Sequence, residues 1–462
     1  MPETSILPPG TRGLPVIGSL LQMRRNPLAF LRRTQEQYGN VATVHLAGRT
    51  IVLFFRPEAA HFFLVEQARS FTSGSGRVEM RRLLGEGLLT TDGEAHRQQR
   101  RQVQPAFHRR RVEGYAAIMV EQTRQMLARW RPGTQVDVAR SLQELTLRIV
   151  VKALFNVDLQ TQSAGLSEAF TAAIESRRPL FLPQVKLNLP FTAYRRFLAA
   201  RATLDAFVYR LIAERRADGR DAGDVLSMLL QSQDEEGSAM TDEQVRDQAM
   251  TLIAAGHETT SNALSWTFYL LDRNPVQREK LLAELQSALA GRPPALEDLP
   301  GLPYLDWVLN ESMRIYPPAW TIGRRSSEAF DLEGYHFPAG TRVLFSQWVI
   351  HHLPDVWGDP DAFRPERWDP ATGQKPPPGA YFPFGGGPRM CIGMPFAQLE
   401  MRLPLATILQ RYVPRLAQGW PVVPAPRVTL RLKHGLQMIL DPAPVAERPQ
   451  PDAQLPAQPA PV

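Results

Sequence analysis

Three short stretches carry residue types that could do chemistry. The first is "FPFGGGPRMCIG", residues 382–393, which contains Cys391, the only cysteine in 462 residues. A thiolate is both a nucleophile and a soft metal ligand. The run before it is almost all Gly, Pro and Phe, so it can form neither a helix nor a regular strand. A helical pattern, "FAQLEMRLPLATILQRY", follows directly. A sulfur at a helix N-terminus faces free N–H groups and the positive end of the helix dipole, which lower its pKa. Gly385, Gly386 and Gly387 can adopt backbone angles that other residues avoid and let the chain approach a flat ligand, and Gly393 does the same just past the sulfur. A lone cysteine is more often an inert buried residue, but an inert thiol does not call for three consecutive glycines.

The second stretch is "AAGHETTSNAL". Ala254, Ala255 and Gly256 are small enough for a planar cofactor to lie against the backbone. Glu258 is ionisable, and Thr259 can donate and accept a hydrogen bond, so the two can relay a proton. A mid-helix Gly costs about 1 kcal/mol against Ala, and a plain helix–helix contact at Gly256 is the competing explanation. The third is a set of basic residues. His96 and Arg100 in "GEAHRQQRRQ" lie four apart and project from one helical face. Arg324 and Arg325 lie in "TIGRRSSEAF", and Arg389 lies two residues before the cysteine. In "NESMR", Glu311 and Arg314 are spaced for an ion pair on one helical face.

The elements that must position these groups are mostly helical. "VATVHLAGRTIVLFF" predicts a β-hairpin near residues 41–56. Helical patterns then dominate from about Glu94 to Tyr316. The clearest begins at Thr241, where Gln244 completes a capping box, and stops at Asn274-Pro275. About 30 residues make a helix of about 45 Å, long enough to cross the middle of a large domain. "LPYLDWVLNESMRIYPP" predicts another helix, and "GYHFPAGTRVLFSQWV" predicts turns and strands.

"FPFGGGPRMCIG" resembles the haem-binding loop of the cytochrome P-450 monooxygenases, Phe-x-x-Gly-x-Arg-x-Cys-x-Gly, through Phe384, Gly387, Arg389, Cys391 and Gly393. The resemblance implies that Cys391 is the axial ligand of the iron of haem b (iron protoporphyrin IX), with Phe384 packed near the sulfur. Thiolate ligation pushes electron density toward the iron and favours O–O cleavage. "AAGHETT" is similar to the family's oxygen-activation motif through Ala255, Gly256, Glu258, Thr259 and Thr260. It implies a flat cofactor against Ala255 and Gly256 and proton delivery by Glu258 and Thr259. Glu311 and Arg314 match the family's Glu-x-x-Arg, a structural pair. His96, Arg100, Arg324 and Arg389 fall where the family neutralises the two haem propionates, with Arg325 an alternative to Arg324. "DAFRPERW" and the N-terminal "LPPGTRGLPVIGSL" also resemble family segments, so the likeness spans roughly residues 8 to 440 in order. It implies a mainly α fold with small β-sheets, the cytochrome P-450 fold, in a single large domain.

Composition sets the surroundings. The chain is 44% hydrophobic and 21% charged, as a globular protein should be. One cysteine excludes an intrachain disulfide. No stretch approaches the roughly 20 apolar residues of a membrane span, and the Pro- and Gly-rich N-terminus is no signal peptide, which predicts a cytoplasmic protein. The net charge of +7 comes from arginines spread along the chain with no zinc or RNA-binding signature, so nucleic acid is not expected as a partner. Residues 1–440 are expected to form the haem domain and 441–462 a disordered Pro-rich tail. No flavin or iron–sulfur module is recognisable in the sequence, so electrons are expected to come from an external ferredoxin with its reductase, or from a flavodoxin-type donor. Basic helices such as "HRRRV" suit an acidic partner docking on a monomer. The substrate is expected to be a lipophilic small molecule, a fatty acid or a terpenoid. Its pocket is expected to be completed by residues 74–89 and 319–322. A peroxide-fed peroxygenase is a weaker alternative, because such relatives typically lack the acid–Thr pair. A haem sensor or electron carrier is weaker still, because no second strong axial ligand stands out.

Overall fold

The computed structural model describes residues 7–443, apart from 75, 160–162, 177–187, 190, 234–236 and 374. The expected tail from residue 444 lies outside the described residues. A strand at Gln437–Pro442 carries regular pairing two residues past the expected boundary at 440.

Seven helices frame the site: α1 (Gly93–Val103), α2 (Val138–Phe155), α3 (Ser163–Glu175), α4 (Ala193–Asp218), α5 (Asp242–Arg273), α6 (Pro303–Ile315) and α7 (Met394–Leu409). The 32 residues of α5 span about 48 Å. Its N-terminus closes as the sequence predicts. Gln244 N–H donates to the Thr241 hydroxyl at 3.2 Å, and the Gln244 side chain accepts from Thr241 N–H at 2.8 Å. Apolar residues surround much of α5, with Trp266, Leu264 and Ile253 fully buried, so α5 packs on neighbours along its length rather than on one face. It stops at Asn274, because Pro275 cannot continue the hydrogen-bond ladder and instead opens the next helix.

Six strands form the largest sheet: β1 (Gly10–Thr11), β2 (Val41–Leu46), β3 (Arg49–Phe54), β4 (Phe71–Thr72), β5 (Ile322–Ser326) and β6 (Arg342–Phe345), in the order β1-β2-β3-β6-β5-β4. The predicted hairpin is β2–β3, turned at Ala47-Gly48 with φ of 49° and 75°. Farther along the chain, β7 (Pro424–Pro426) and β8 (Leu430–Leu432) pair as a second hairpin. Two apolar cores result. The larger lies among the helices, and the smaller holds the sheet together through Phe54, Phe63, Phe71, Phe337 and Phe345. The site lies where helices, sheet and β7–β8 meet.

Candidate active site

A cavity of about 400 Å³ is lined by Cys391, Phe384 and Gly385 of the cysteine loop, by Ala255, Glu258 and Thr259 of α5, and by His96, Arg100, Arg324 and Arg389. Local physics brings the sulfur there. Gly385 and Gly387 sit at φ of 72° and 60°, which a side chain would strain. Cys391 N–H then donates to Phe384 C=O at 2.9 Å, folding the loop back on itself. A methyl group on Gly387 would lie 1.8 Å from the Leu64 carbonyl oxygen. The glycines therefore serve the turn and the packing of the loop on residues 62–66, and only Gly385 of the three borders the cavity. Gly393 lies beside the sulfur, and a methyl group there would sit 4.0 Å from Sγ.

Cys391 has accessible surface that opens on the cavity. The protein packed around it pushes the thiol up. A backbone N–H bond at Gly393 and the Arg100 charge pull it back only in part. The lowered pKa expected from the helix N-terminus is thus outweighed by desolvation in the protein alone.

The basic residues gather at the cavity, and Arg324 and Arg325 part there. β5 alternates, so Arg324 turns inward to the cavity and Arg325 outward, where its Nε donates to Gly340 C=O at 3.3 Å. His96 is buried on α1, and Arg100, one turn on, donates to Met390 C=O at 2.9 Å. Arg389 is engaged by protein as well as facing the cavity. It donates to Asp92 Oδ1 at 2.7 Å and to Thr91 C=O, tying the cysteine loop to the start of α1. Burial and the neighbouring Arg389 charge push the Arg324 guanidinium down to about 10. Buried like charges crowded at one cavity are costly without an anion between them. The donor set therefore fits a group that offers one metal to a sulfur and two carboxylates to arginines.

On α5 the small residues divide. Ala254 and Ala255 border the cavity. Gly256, expected beside a flat cofactor, points instead at α2, where a methyl group would lie 2.8 Å from Val150 Cγ2. The helix–helix explanation holds at that position. Glu258 and Thr259 both reach the cavity wall but do not meet as a pair. Thr259 donates back to Ala255 C=O at 2.8 Å. Glu258 is 4% exposed and accepts from the Thr429 hydroxyl at 2.7 Å. Thr260 is buried and also borders the cavity. His257 turns away from the cavity toward Phe170 and stays neutral, its pKa pushed down to about 3 by burial.

The rest of the lining is mostly apolar, with Leu83, Leu84, Leu88, Leu252, Ala319 and Ile322 within the two segments and the helix that the sequence suggests. Ile174 of α3, Met313 of α6 and Val428 and Thr429 before β8 were not anticipated. They carry no motif; for Ile174, Met313 and Val428 the only signal available was the apolar character that they share with the core, and for Thr429 there was none.

Residues 8–434 match the sequence model of the cytochrome P450 family. The chain is a cytochrome P450. This P450 is 37% identical, over 90% of its length and 92% of the relative's, to the cyclooctatin synthase of Streptomyces melanosporofaciens. It is 34% identical, over 97% and 96% of the two chains, to the cyclooctat-9-en-7-ol 5-monooxygenase of the same organism. It is 34% identical, over 86% and 89%, to the pentalenene oxygenase of Streptomyces avermitilis. Among solved structures, the retinoic acid bound cyanobacterial CYP120A1 superposes with a TM-score of 0.86 at 29% identity, covering 95% of this chain and all of that one. The P450 fold and the haem-thiolate monooxygenase class follow. The protein is an oxidoreductase that inserts one oxygen atom of O2 into a lipophilic small molecule with electrons supplied from outside. No helix among the described residues is long and apolar enough to cross a membrane.

Proposed function

We propose that this P450 oxidises a cyclic terpenoid, a hydrocarbon or an alcohol made from one. The observation that carries this is the cavity, an apolar enclosure with Cys391 on one wall and Glu258 and Thr259 on another. The substrates named for the bacterial relatives support it. Apolar walls hold such a molecule by burial and few directed bonds. The cofactor is haem b, and once bound it supplies oxygen activation by a thiolate-ligated iron. Cys391 would hold its iron, with Phe384 and Gly393 beside the sulfur and Ala255 against its open face, and His96, Arg100, Arg324 and Arg389 would neutralise its propionates. Glu258 accepts a proton from water and passes it toward the Thr259 hydroxyl.

The haem domain of about 440 residues acts as a cytoplasmic monomer and takes electrons from a separate ferredoxin or flavodoxin-type protein. Phe107 lies against Gly393, and the exposed His108, Arg109 and Arg110 follow at once, so a basic surface borders the cysteine loop. An acidic donor docking there would bind more weakly as salt rises, because screening is strong beyond about 8–10 Å. The acid–Thr motif favours this reading over a peroxide-fed one. The test is spectroscopic. The reduced carbon monoxide complex should show the long-wavelength Soret band of thiolate haem, and Cys391→Ala should abolish it. Arg324→Leu should lower haem retention while Arg325→Leu should not. A band that survives Cys391→Ala would overturn the assignment.

A further inference from the structure

Glu258 is not held by its neighbour in the oxygen-activation motif but by the β7–β8 hairpin, 171 residues away. Thr429, just before β8, donates its hydroxyl to Glu258 Oε1 at 2.7 Å and accepts from Asn262 Nδ2 at 3.0 Å. Arg431 Nε lies 3.5 Å from the same Oε1. Thr429 and Arg431 are two apart, so an extended strand turns both to one side. All three side chains are nearly buried, with Thr429 6%, Arg431 8% and Glu258 4% exposed.

The hairpin itself is pinned. Leu430 N–H donates to Pro318 C=O at 2.8 Å, and Leu430 C=O accepts from Trp266 Nε1 at 2.9 Å. Trp266 lies eight residues beyond Glu258 on α5 and is fully buried. The helix thus grips the hairpin at Trp266 and Asn262 and is gripped in return at Glu258. The hairpin backbone that carries Thr429 and Arg431 is therefore held in place beside Glu258 by the hydrogen bonds at Leu430.

We propose that Thr429 and Arg431 are positioning residues that set where the Glu258 carboxylate stands when it moves a proton. This rests on the monooxygenase reading. Thr429 orients Oε1 through a hydrogen bond from a hydroxyl that itself lines the cavity. Arg431 supplies the nearby positive charge that a buried carboxylate requires. Thr259 remains the hydroxyl toward which Glu258 passes the proton that it accepts from water.

The experiment compares four holoenzyme variants, Thr429→Val, Thr429→Ser, Arg431→Leu and Arg431→Lys, on a substrate that the unsubstituted protein turns over. Thr429→Val and Arg431→Leu should lower product per electron by about 10-fold, with the missing electrons appearing as hydrogen peroxide and with a larger solvent isotope effect. Thr429→Ser and Arg431→Lys, which keep the hydroxyl and the charge, should restore most of the coupling. A purely structural role would lower haem content and thermal stability without moving the isotope effect. Crystal structures of the substrate-free variants give a readout independent of turnover, because Glu258 should leave its native rotamer in Thr429→Val. Unchanged coupling in both truncations, or a Glu258 that stays in place without Thr429, overturns the proposal. If Arg431→Leu does not fold, the two Thr429 variants decide. Should the unsubstituted protein oxidise nothing, the monooxygenase reading fails by itself, and the rotamer still decides whether the hairpin positions Glu258.

Discussion

Two buried glutamates sit on adjoining helices, Glu258 on α5 and Glu311 on α6, and the helices touch where Thr267 donates to Ser312 at 2.9 Å. Glu311 is fully buried and surrounded by donors. Arg314 reaches it twice, at 2.7 and 2.8 Å, and Arg364 N–H, Arg367 Nε and Trp368 Nε1 add bonds at 3.0, 3.2 and 3.1 Å. Arg314 in turn donates to the carbonyls of His351, Pro360 and Ala362. Every lone pair has a fixed claimant, so this carboxylate is a bracket that joins α6 to the segment before the cysteine loop. Glu258 also lies beside a guanidinium, but at 3.5 Å, and accepts from the Thr429 hydroxyl. It also borders the cavity, and Glu311 does not. The same residue types thus serve opposite purposes. Many converging donors immobilise a charge, while a carboxylate that borders an open space can exchange a proton.

Breaking the bracket should have the largest effect. Arg314→Leu leaves the Glu311 carboxylate buried without its main partner, a change that costs about 3–5 kcal/mol. Urea unfolding should show that loss, and haem should no longer be retained. Glu258→Gln sharpens the contrast. It should slow turnover by about 10²-fold through proton delivery and lower the unfolding free energy less than Glu311→Gln, which should leave proton delivery unchanged. Equal effects on stability would erase the distinction drawn between the two sites.

Acid should act next. His257 is neutral when folded, with its pKa pushed down to about 3, and His352, buried and beside the Arg314 charge, is pushed down to about 4. Unfolding restores the ordinary value near 6.5, so the unfolded chain binds protons that the folded one refuses. Stability should therefore fall as pH drops below about 6.5, by about 1.4 kcal/mol per pH unit for each histidine, until the folded values are reached. His257→Leu should remove one such contribution between about pH 5.5 and 4.5, and an unchanged slope would count against burial as the cause. The smallest effect concerns Gly256. Gly256→Ala gains helix propensity but crowds Val150, so a net loss of about 1 kcal/mol is expected. In a Val150→Ala background the same substitution should become stabilising, without a change in the haem spectrum.

These two glutamates also show what could be read in advance. The spacing of Glu311 and Arg314 within one helix announces their pairing, because a helix repeats every 3.6 residues whatever surrounds it. The long helix was legible for the same reason, through its Thr241 cap and its stop at Pro275. Nothing near Glu258 announces Thr429 or Arg431, since a partner 171 residues away leaves no mark on local periodicity. Gly256 misled for a related reason. A glycine shows that something approaches closely, and only packing shows that the neighbour is Val150 rather than a cofactor. Arg324 and Arg325 could not be told apart until the strand's registry against β6 fixed which side faces inward.

By itself the sequence determined the chemistry available and the local frame that presents it. Cys391 lies in a glycine loop before a helix, Glu258 and Thr259 sit in mid-helix, and four basic groups are spread from residue 96 to 389. Those follow from covalent order, backbone sterics and helical repeat, which act over a few residues. Tertiary structure alone decided which charges share the cavity, which way each small residue of α5 faces, and that a hairpin near the C-terminus holds the acid of the oxygen-activation motif. Such contacts depend on how distant segments pack, and packing is settled by the shape and burial of the whole core rather than by any stretch of it.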